Sequence, residues 1–389
     1  MATSDPGDLL VDEAPPPMPG DSAAVVIEEL RAHPLWIPTD APESDGTLVW
    51  DGTGVVVVEV VGGGHVGLGV SYTHPSAALV ARSELRDVVV GQTLGRRSQL
   101  WAQMRQALRN VGRTGIGAGA LSAVDMALRD LAGKVLDASG GDLLGRGRDE
   151  VPLYGSGGFT SYSEQELAAQ LGGWVEEGFS MVKMKVGREP AVDPHRVAVA
   201  RRAIGDGAQL FVDANGAYGR SQASALGAAF AEVDVSWFEE PVSSDDLDGL
   251  RRLRGRLPAG MEVAAGEYNG EPAQARRMVD ADAVDVLQID ATRVGGYTGF
   301  MAAAAVAEAA GLEVSCHCAP ALHRPVAVGA VRNLRHAEWF HDHVRIERRL
   351  FDGAPTAERG AMALDASRPG VGLELRWSDV ARFHLGGHR

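Results

Sequence analysis

After Gly145 the chain repeats one pattern eight times, a short apolar run followed by a helical stretch. No other feature restricts the fold as strongly. The runs are Val151–Tyr154, Met181–Val186, Gln209–Asp213, Ser236–Phe238, Glu262–Ala265, Val284–Ile289, Leu312–Ser315 and Ala337–Phe340. Their starts lie roughly 22 to 30 residues apart, the length of one strand, one helix and two loops. Eight such units predict an α/β fold with a closed parallel (β/α)8-type barrel rather than a doubly wound sheet. Barrels of this kind carry their chemistry where the strands end, so the side chains there decide what the chain can do.

The part before the barrel reads differently. Residues 1–24 are rich in Pro, Gly, Ala and Asp, including Pro15, Pro16 and Pro17, and lack the periodicity that would seat them in a core. They are read as a flexible leader. From Thr47 to Tyr72 the β-branched run Val55 to Val61, the turn Gly62-Gly63-Gly64 and the alternating Val66, Leu68 and Val70 predict two antiparallel strands. Leu79 to Leu136 is helical, with Leu121, Val124, Leu128, Leu131 and Val135 at offsets of three and four. The expected organisation is an α+β domain over 25–147, the barrel over 148–365, and a C-terminal segment, 366–389, returning to the first domain.

Composition excludes several classes of partner. Thirty-seven Lys and Arg stand against 52 Asp and Glu, a formal charge of -15, so no basic surface dominates for nucleic acid. The longest helix-like apolar stretch, Met301 to Ala310, is interrupted by Glu308 and falls short of the roughly 20 residues that span a bilayer. No membrane helix is expected. The first 30 residues contain no Lys or Arg, the reverse of a secretory n-region, and two cysteines cannot build a disulfide framework. A cytoplasmic location is expected.

The strand ends, in order, carry Lys183 and Lys185, Asp213 and Asn215, Glu239 and Glu240, Glu267, Asp290, and His317. Asp213, Glu239 and Glu267 come from adjacent staves of a closed barrel, and three converging carboxylates repel one another unless a cation lies between them. Mg²⁺ takes oxygen ligands and keeps positions open for water or substrate, which suits this set; three separate salt bridges are the other reading. Lys183 and Lys185, separated by one residue on a strand, share a face. Two adjacent ammonium groups disfavour each other's charge, so one of them can act as a base near neutral pH. If both faced outward instead, Val182, Met184 and Val186 would fill the barrel, and periodicity alone leaves both registers open. Asp290, on the stave beside His317, can fix the imidazole tautomer and raise its basicity. Cys316 and Cys318 alternate with His317 and are expected to point outward as small apolar residues.

These residues resemble the enolase superfamily, and within it the mandelate racemase-like subgroup, from about Asp45 to the end of the chain. The motifs are Val182-Lys183-Met184-Lys185-Val186-Gly187, Val212-Asp213-Ala214-Asn215, Trp237-Phe238-Glu239-Glu240-Pro241, Ala265-Gly266-Glu267, Gln288-Ile289-Asp290 with Gly295-Gly296, and Ser315-Cys316-His317. Ala123 to Leu128 and Leu143-Leu144-Gly145 are similar to that family's capping domain. The resemblance implies a (β/α)7β TIM-type barrel beneath an N-terminal α+β capping domain, with Asp213, Glu239 and Glu267 as Mg²⁺ ligands. It implies Lys185 as base on one face of a carboxylate substrate, and His317 paired with Asp290 as base on the other. Lys183 would lie against the substrate carboxylate, with Asn215 and Glu240 near the metal or substrate. This combination of a Lys or His base with Mg²⁺ is the known pattern of the superfamily. The eighth strand departs from it: His341 aligns with the position where the subgroup often carries a glutamate, while Glu338 lies three residues earlier. His341 is therefore expected in the substrate site.

Two bases permit two outcomes. Returning a proton to the same carbon gives an epimer, and protonating a β-hydroxyl expels water. The resemblance implies dehydration of a sugar acid to a 2-keto-3-deoxy acid, with racemisation or epimerisation of a 2-hydroxy acid as the alternative, and it favours a homo-oligomer. His323, Arg324, His341 and His343 are read as polar groups available to bind hydroxyls. Specificity is expected to lie in Trp36 to Trp50, with Asp40, Glu43, Ser44 and Asp45, and in Tyr72 to Ser76.

Overall fold

A computed structural model describes residues 23–329 and 331–385. Apart from Ala23 and Ala24, the expected leader lies outside the described residues. The N-terminal unit is a three-stranded antiparallel sheet of β1 (Ile27–Ser44), β2 (Val49–Gly62) and β3 (His65–Tyr72), in the order β1-β2-β3. Val55 to Val58 follow one another without polar alternation because both faces of β2 are buried there. Val56, Val58 and Val60 pack with the helices of this unit, whereas Val55 and Val57 join the same core as the barrel. The helix Ile116–Leu136 covers the sheet so closely that a Cβ on Gly69 would come within 1.8 Å of the Ala123 carbonyl.

Three strands stand where two were expected. The additional one, β1, carries Pro34, Pro38 and Pro42, which weaken any strand pattern. It lies at the edge of its sheet, where a missing N–H leaves no partner unsatisfied.

The eight barrel strands are β4 (Glu150–Gly157), β5 (Met181–Lys185), β6 (Gln209–Asp213), β7 (Val235–Glu239), β8 (Glu262–Ala265), β9 (Val286–Ile289), β10 (Glu313–Cys316) and β11 (Leu334–Phe340). They pair in parallel in chain order, and β11 closes on β4. Seven helices alternate with them, giving the (β/α)7β arrangement. Side chains alternate in and out along each strand. Val182, Met184 and Val186 pack outward with the surrounding helices, and an aromatic floor of Tyr154, Phe211 and Trp237 fills the interior. Phe211 and Trp237 stack there with ring centroids 5.2 Å apart.

The C-terminal segment ties the two units together. Asp130 accepts from Leu68 N of β3 and from Val371 N, each at 2.6 Å, and Trp36 N donates to the Phe383 carbonyl. At the other end of the sheet, the β1–β2 tip sits on the barrel mouth. Ser44 bonds Thr160 by side chain at 2.6 Å, and Asp45 Oδ1 holds the tip by accepting from Thr47 N and Leu48 N. Among the described residues no helix is long and apolar enough to cross a membrane.

Candidate active site

The inward register of β5 buries Lys183 completely and leaves Lys185 only 6% exposed. Lys183 Nζ lies 2.6 Å from Glu239 Oε1, 2.9 Å from Glu338 Oε1 and 5.3 Å from the centre of the Tyr154 ring. Lys185 Nζ donates to Asp213 Oδ2 at 2.5 Å. Burial by itself lowers both lysine pKa values, but the carboxylates outweigh it, Glu239 and Glu338 around Lys183 and Asp213 beside Lys185. Both end above the ordinary lysine value. Lys183 does depress Lys185, as the paired ammonium groups imply, but Asp213 reverses the sign of the total. Repulsion from Lys183 lowers the Lys185 pKa as expected, and for Lys185 to act as a base the negative charge around it must also be compensated.

Asp213 and Glu239 end β6 and β7, and Glu267 stands two residues beyond β8. One oxygen from each lies within 4.8 Å of the others, and all three residues are buried. Burial and the neighbouring Asp213 push Glu239 up to about 8. Burial likewise raises Glu267, but His317, Arg293 and Lys185 outweigh it and hold this carboxyl well below its usual range. Glu240, 1% exposed, is raised well above the usual range by burial and by Glu267. Neither Glu240 Oε1 nor Glu267 Oε2 accepts a hydrogen bond. Buried carboxylates with unused oxygens are an all-oxygen donor set, and they fit a hard divalent cation such as Mg²⁺.

His317 follows β10, and Asp290 follows β9 on the adjacent stave. His317 Nδ1 lies 2.9 Å from Asp290 Oδ2, while Nε2 lies 3.3 Å from Glu267 Oε2. Burial disfavours the imidazolium, yet Cys318, Glu267 and Asp290 more than offset it, so the His317 pKa stands well above 6.5. Arg293, unnoticed in the sequence, lies 3.4 Å from Asp290 Oδ2 and 3.6 Å from Glu267 Oε1, bridging the dyad and the carboxylate cluster.

Asn215 adopts a left-handed φ of 45°, its N–H donates to Asp213 Oδ1, and its own Oδ1 accepts no hydrogen bond. His341 does not join this group. β11 ends at Phe340, so His341 opens the next helix and lines an outer groove with Trp174, Trp339 and Arg345. Glu338 takes the interior position because alternation along β11 places His336 and Glu338 inside. Glu338 accepts from Ser156 Oγ and Cys318 N besides pairing with Lys183.

The other polar residues expected to bind hydroxyls are engaged elsewhere. His323 accepts from Ala291 N and contacts the Cys318 carbonyl, Arg324 donates to backbone carbonyls, and His343 stacks on Tyr72 with centroids 3.5 Å apart. The orientation expected for Cys318 also changes. Cys316 packs in the outer core, but Cys318 has φ 52° and turns its sulfur to within 3.2 Å of His317 Nε2. An aromatic group formed by Phe159 and Phe340, with Trp50 and Tyr162 against them, packs on that cysteine.

Two family models match this chain. One, described as mandelate racemase / muconate lactonizing enzyme, N-terminal domain, covers residues 44–145; the other, enolase C-terminal domain-like, covers residues 166–380. The D-galactarolactone cycloisomerase of Agrobacterium fabrum is 30% identical, over 92% of this chain and 99% of its own length. A mandelate racemase/muconate lactonizing enzyme-like protein from Rubrobacter xylanophilus superposes with a TM-score of 0.90 at 47% identity, covering 92% of this chain and 100% of that one. The L-talarate dehydratase of Polaromonas sp. JS666, complexed with Mg and L-glucarate, gives a TM-score of 0.84 at 29% identity, over 94% and 100% of the two chains.

Proposed function

This chain belongs to the mandelate racemase / muconate lactonizing enzyme family of the enolase superfamily, and from that premise we propose that it dehydrates a sugar acid to a 2-keto-3-deoxy acid. One observation carries the reading: Lys185 and the His317–Asp290 dyad contact different members of one carboxylate cluster, Asp213 and Glu267 respectively. The cofactor is Mg²⁺. The Polaromonas relative is complexed with Mg and L-glucarate, and the buried oxygen donors of Asp213, Glu239 and Glu267 support the same ion here.

When bound, Mg²⁺ supplies positive charge beside the substrate carboxylate and offsets the carboxylates that hold Lys185 protonated. Lys183, oriented by Glu239 and Glu338, sets a second positive charge against the dianionic enediolate that forms as the α-proton leaves. Lys185 serves one face of the α-carbon and His317 the other. In the dehydration, one group takes the α-proton, the electron pair forms a carbon–carbon double bond, and the other group protonates the departing β-hydroxyl. Asn215 and Glu240, through the oxygens that accept no hydrogen bond, are proposed to bind substrate. The reading extends to a cytoplasmic location and to a homo-oligomer, the second of which light scattering on the purified protein tests.

The deciding experiment is proton NMR of the protein with Mg²⁺ and pooled sugar acids in D₂O. New 3-deoxy methylene signals are expected. Loss of an α-proton signal with epimer formation instead would move the assignment to a racemase. Absence of any exchange across the pool would refute the sugar-acid reading.

A further inference from the structure

The geometry points to a second metal site in this barrel, formed by His317, Cys318 and Glu338, that takes a borderline-soft ion such as Zn²⁺. One ligand atom from each residue lies within 4.8 Å of the others, and all three residues are buried. The site exists because the chain reverses directly after β10. Cys318 and Ala319 both adopt left-handed backbone, at φ 52° and 42°, which side chains rarely tolerate and which bends the thiol back beside the preceding imidazole. The turn is held from three sides. Cys318 N donates to Glu338 Oε2 at 2.7 Å, Ala319 N to His343 Nδ1 at 3.2 Å, and Ala321 N to Glu347 Oε2 at 3.0 Å.

Donor chemistry separates this site from the oxygen cluster. Sulfur, nitrogen and carboxylate oxygen together are the donors of Zn²⁺, whereas Mg²⁺ takes oxygen. With Zn–N about 2.0 Å and Zn–S about 2.3 Å, donors on one tetrahedral ion lie roughly 3.5 Å apart. Cys318 Sγ and His317 Nε2 are already 3.2 Å apart, so little movement is needed to seat the ion between them. Binding displaces two protons to the solvent buffer, the thiol proton of Cys318 and the Nε2 proton of the His317 imidazolium, and leaves a thiolate and a neutral imidazole on the ion. It also takes the lone pair of His317 Nε2, the nitrogen that turns away from Asp290. An ion here withdraws that imidazole from proton transfer, so the site is inhibitory.

The test reads absorption and not turnover, so failure of the proposed reaction would leave its result intact. The full-length protein is saturated with Mg²⁺ to occupy the oxygen cluster and then titrated with Co²⁺, which gives a thiolate-to-metal charge-transfer band in the near ultraviolet only when sulfur is bound. One equivalent of band is expected, displaced by Zn²⁺, retained in Cys316→Ser and abolished in Cys318→Ser. His317→Asn should weaken the Co²⁺ affinity at least tenfold. If circular dichroism shows that Cys318→Ser does not fold, Cys318→Ala takes its place, and the wild-type and His317→Asn titrations stand independently. No band in the Mg²⁺-loaded protein, a band surviving loss of Cys318, or unchanged affinity in His317→Asn would each overturn the site.

Discussion

The behaviour of His317 depends on which of its nitrogens carries the proton. Asp290 Oδ2, 2.9 Å from Nδ1, accepts from that nitrogen and leaves Nε2 to face the carboxylate cluster. Asp290→Asn keeps the shape and removes the charge, so kcat should fall by about 10²- to 10⁴-fold, the range of a lost general acid–base contribution. Substrate contacts are untouched, so KM should change little. Steady-state kinetics decide it, and a kcat within twofold of wild type would show that the dyad takes no part. The ionisable strand ends were legible because each interrupts an apolar run at the same phase of the repeat. Glu338 was also within reach, since the expected strand Ala337–Phe340 puts it on the opposite face from Ala337 and Trp339, which pack outward. Cys318 was not, because alternation holds only while the strand lasts, and β10 ends at Cys316.

The β1–β2 tip shows how an element from outside the barrel becomes part of its mouth. A Cβ on Gly46 would lie 2.6 Å from the Ala214 carbonyl and 2.7 Å from that of Val186, both immediately beyond strands that carry the carboxylate cluster and the lysines. Backbone atoms at such positions cannot yield, so any side chain lifts the tip from its seat. Gly46→Ala should cost about 1–3 kcal/mol, as overpacking does, and lower kcat/KM by raising KM more than it lowers kcat. Chemical denaturation and kinetics on the same preparation check both parts; an unchanged KM would mean that the tip does not border bound substrate. The barrel strands were readable from their apolar runs and spacing, whereas β1 was hidden by its prolines. Its pairing partner supplies what its own sequence lacks, the register from Leu30↔Val60 through Ile37↔Thr53.

Across the whole molecule, the contact between the capping unit and the barrel holds two carboxyls in their neutral form. Glu43, on the tip, is 2% exposed and accepts from Trp50 Nε1, and burial with the nearby Asp342 raises it to about 8. Glu347, beside Tyr72 and accepting from Ala321 N, is raised by burial to about 8. A carboxyl with a folded pKa above its unfolded value binds more protons when folded, so its contribution to stability is full below about pH 4.5 and is lost as pH rises towards 8. His323, His336 and His343, whose pKa values are lowered chiefly by burial, act in the opposite direction, but only as pH falls below about 6.5, where the unfolded imidazoles take up protons. Above pH 7 the two glutamates are no longer masked, and His317, raised well above 6.5, adds an effect of the same sign. Stability should therefore decline from pH 7 to 8.5, each group contributing at most about 1.4 kcal/mol per pH unit. The double variant Glu43→Gln, Glu347→Gln has no carboxyl to ionise at either position and should show a shallower decline in urea midpoint over that range. An equal slope in both proteins would mean that solvent reaches these carboxyls, and that the capping unit sits on the barrel more loosely than its buried contacts require.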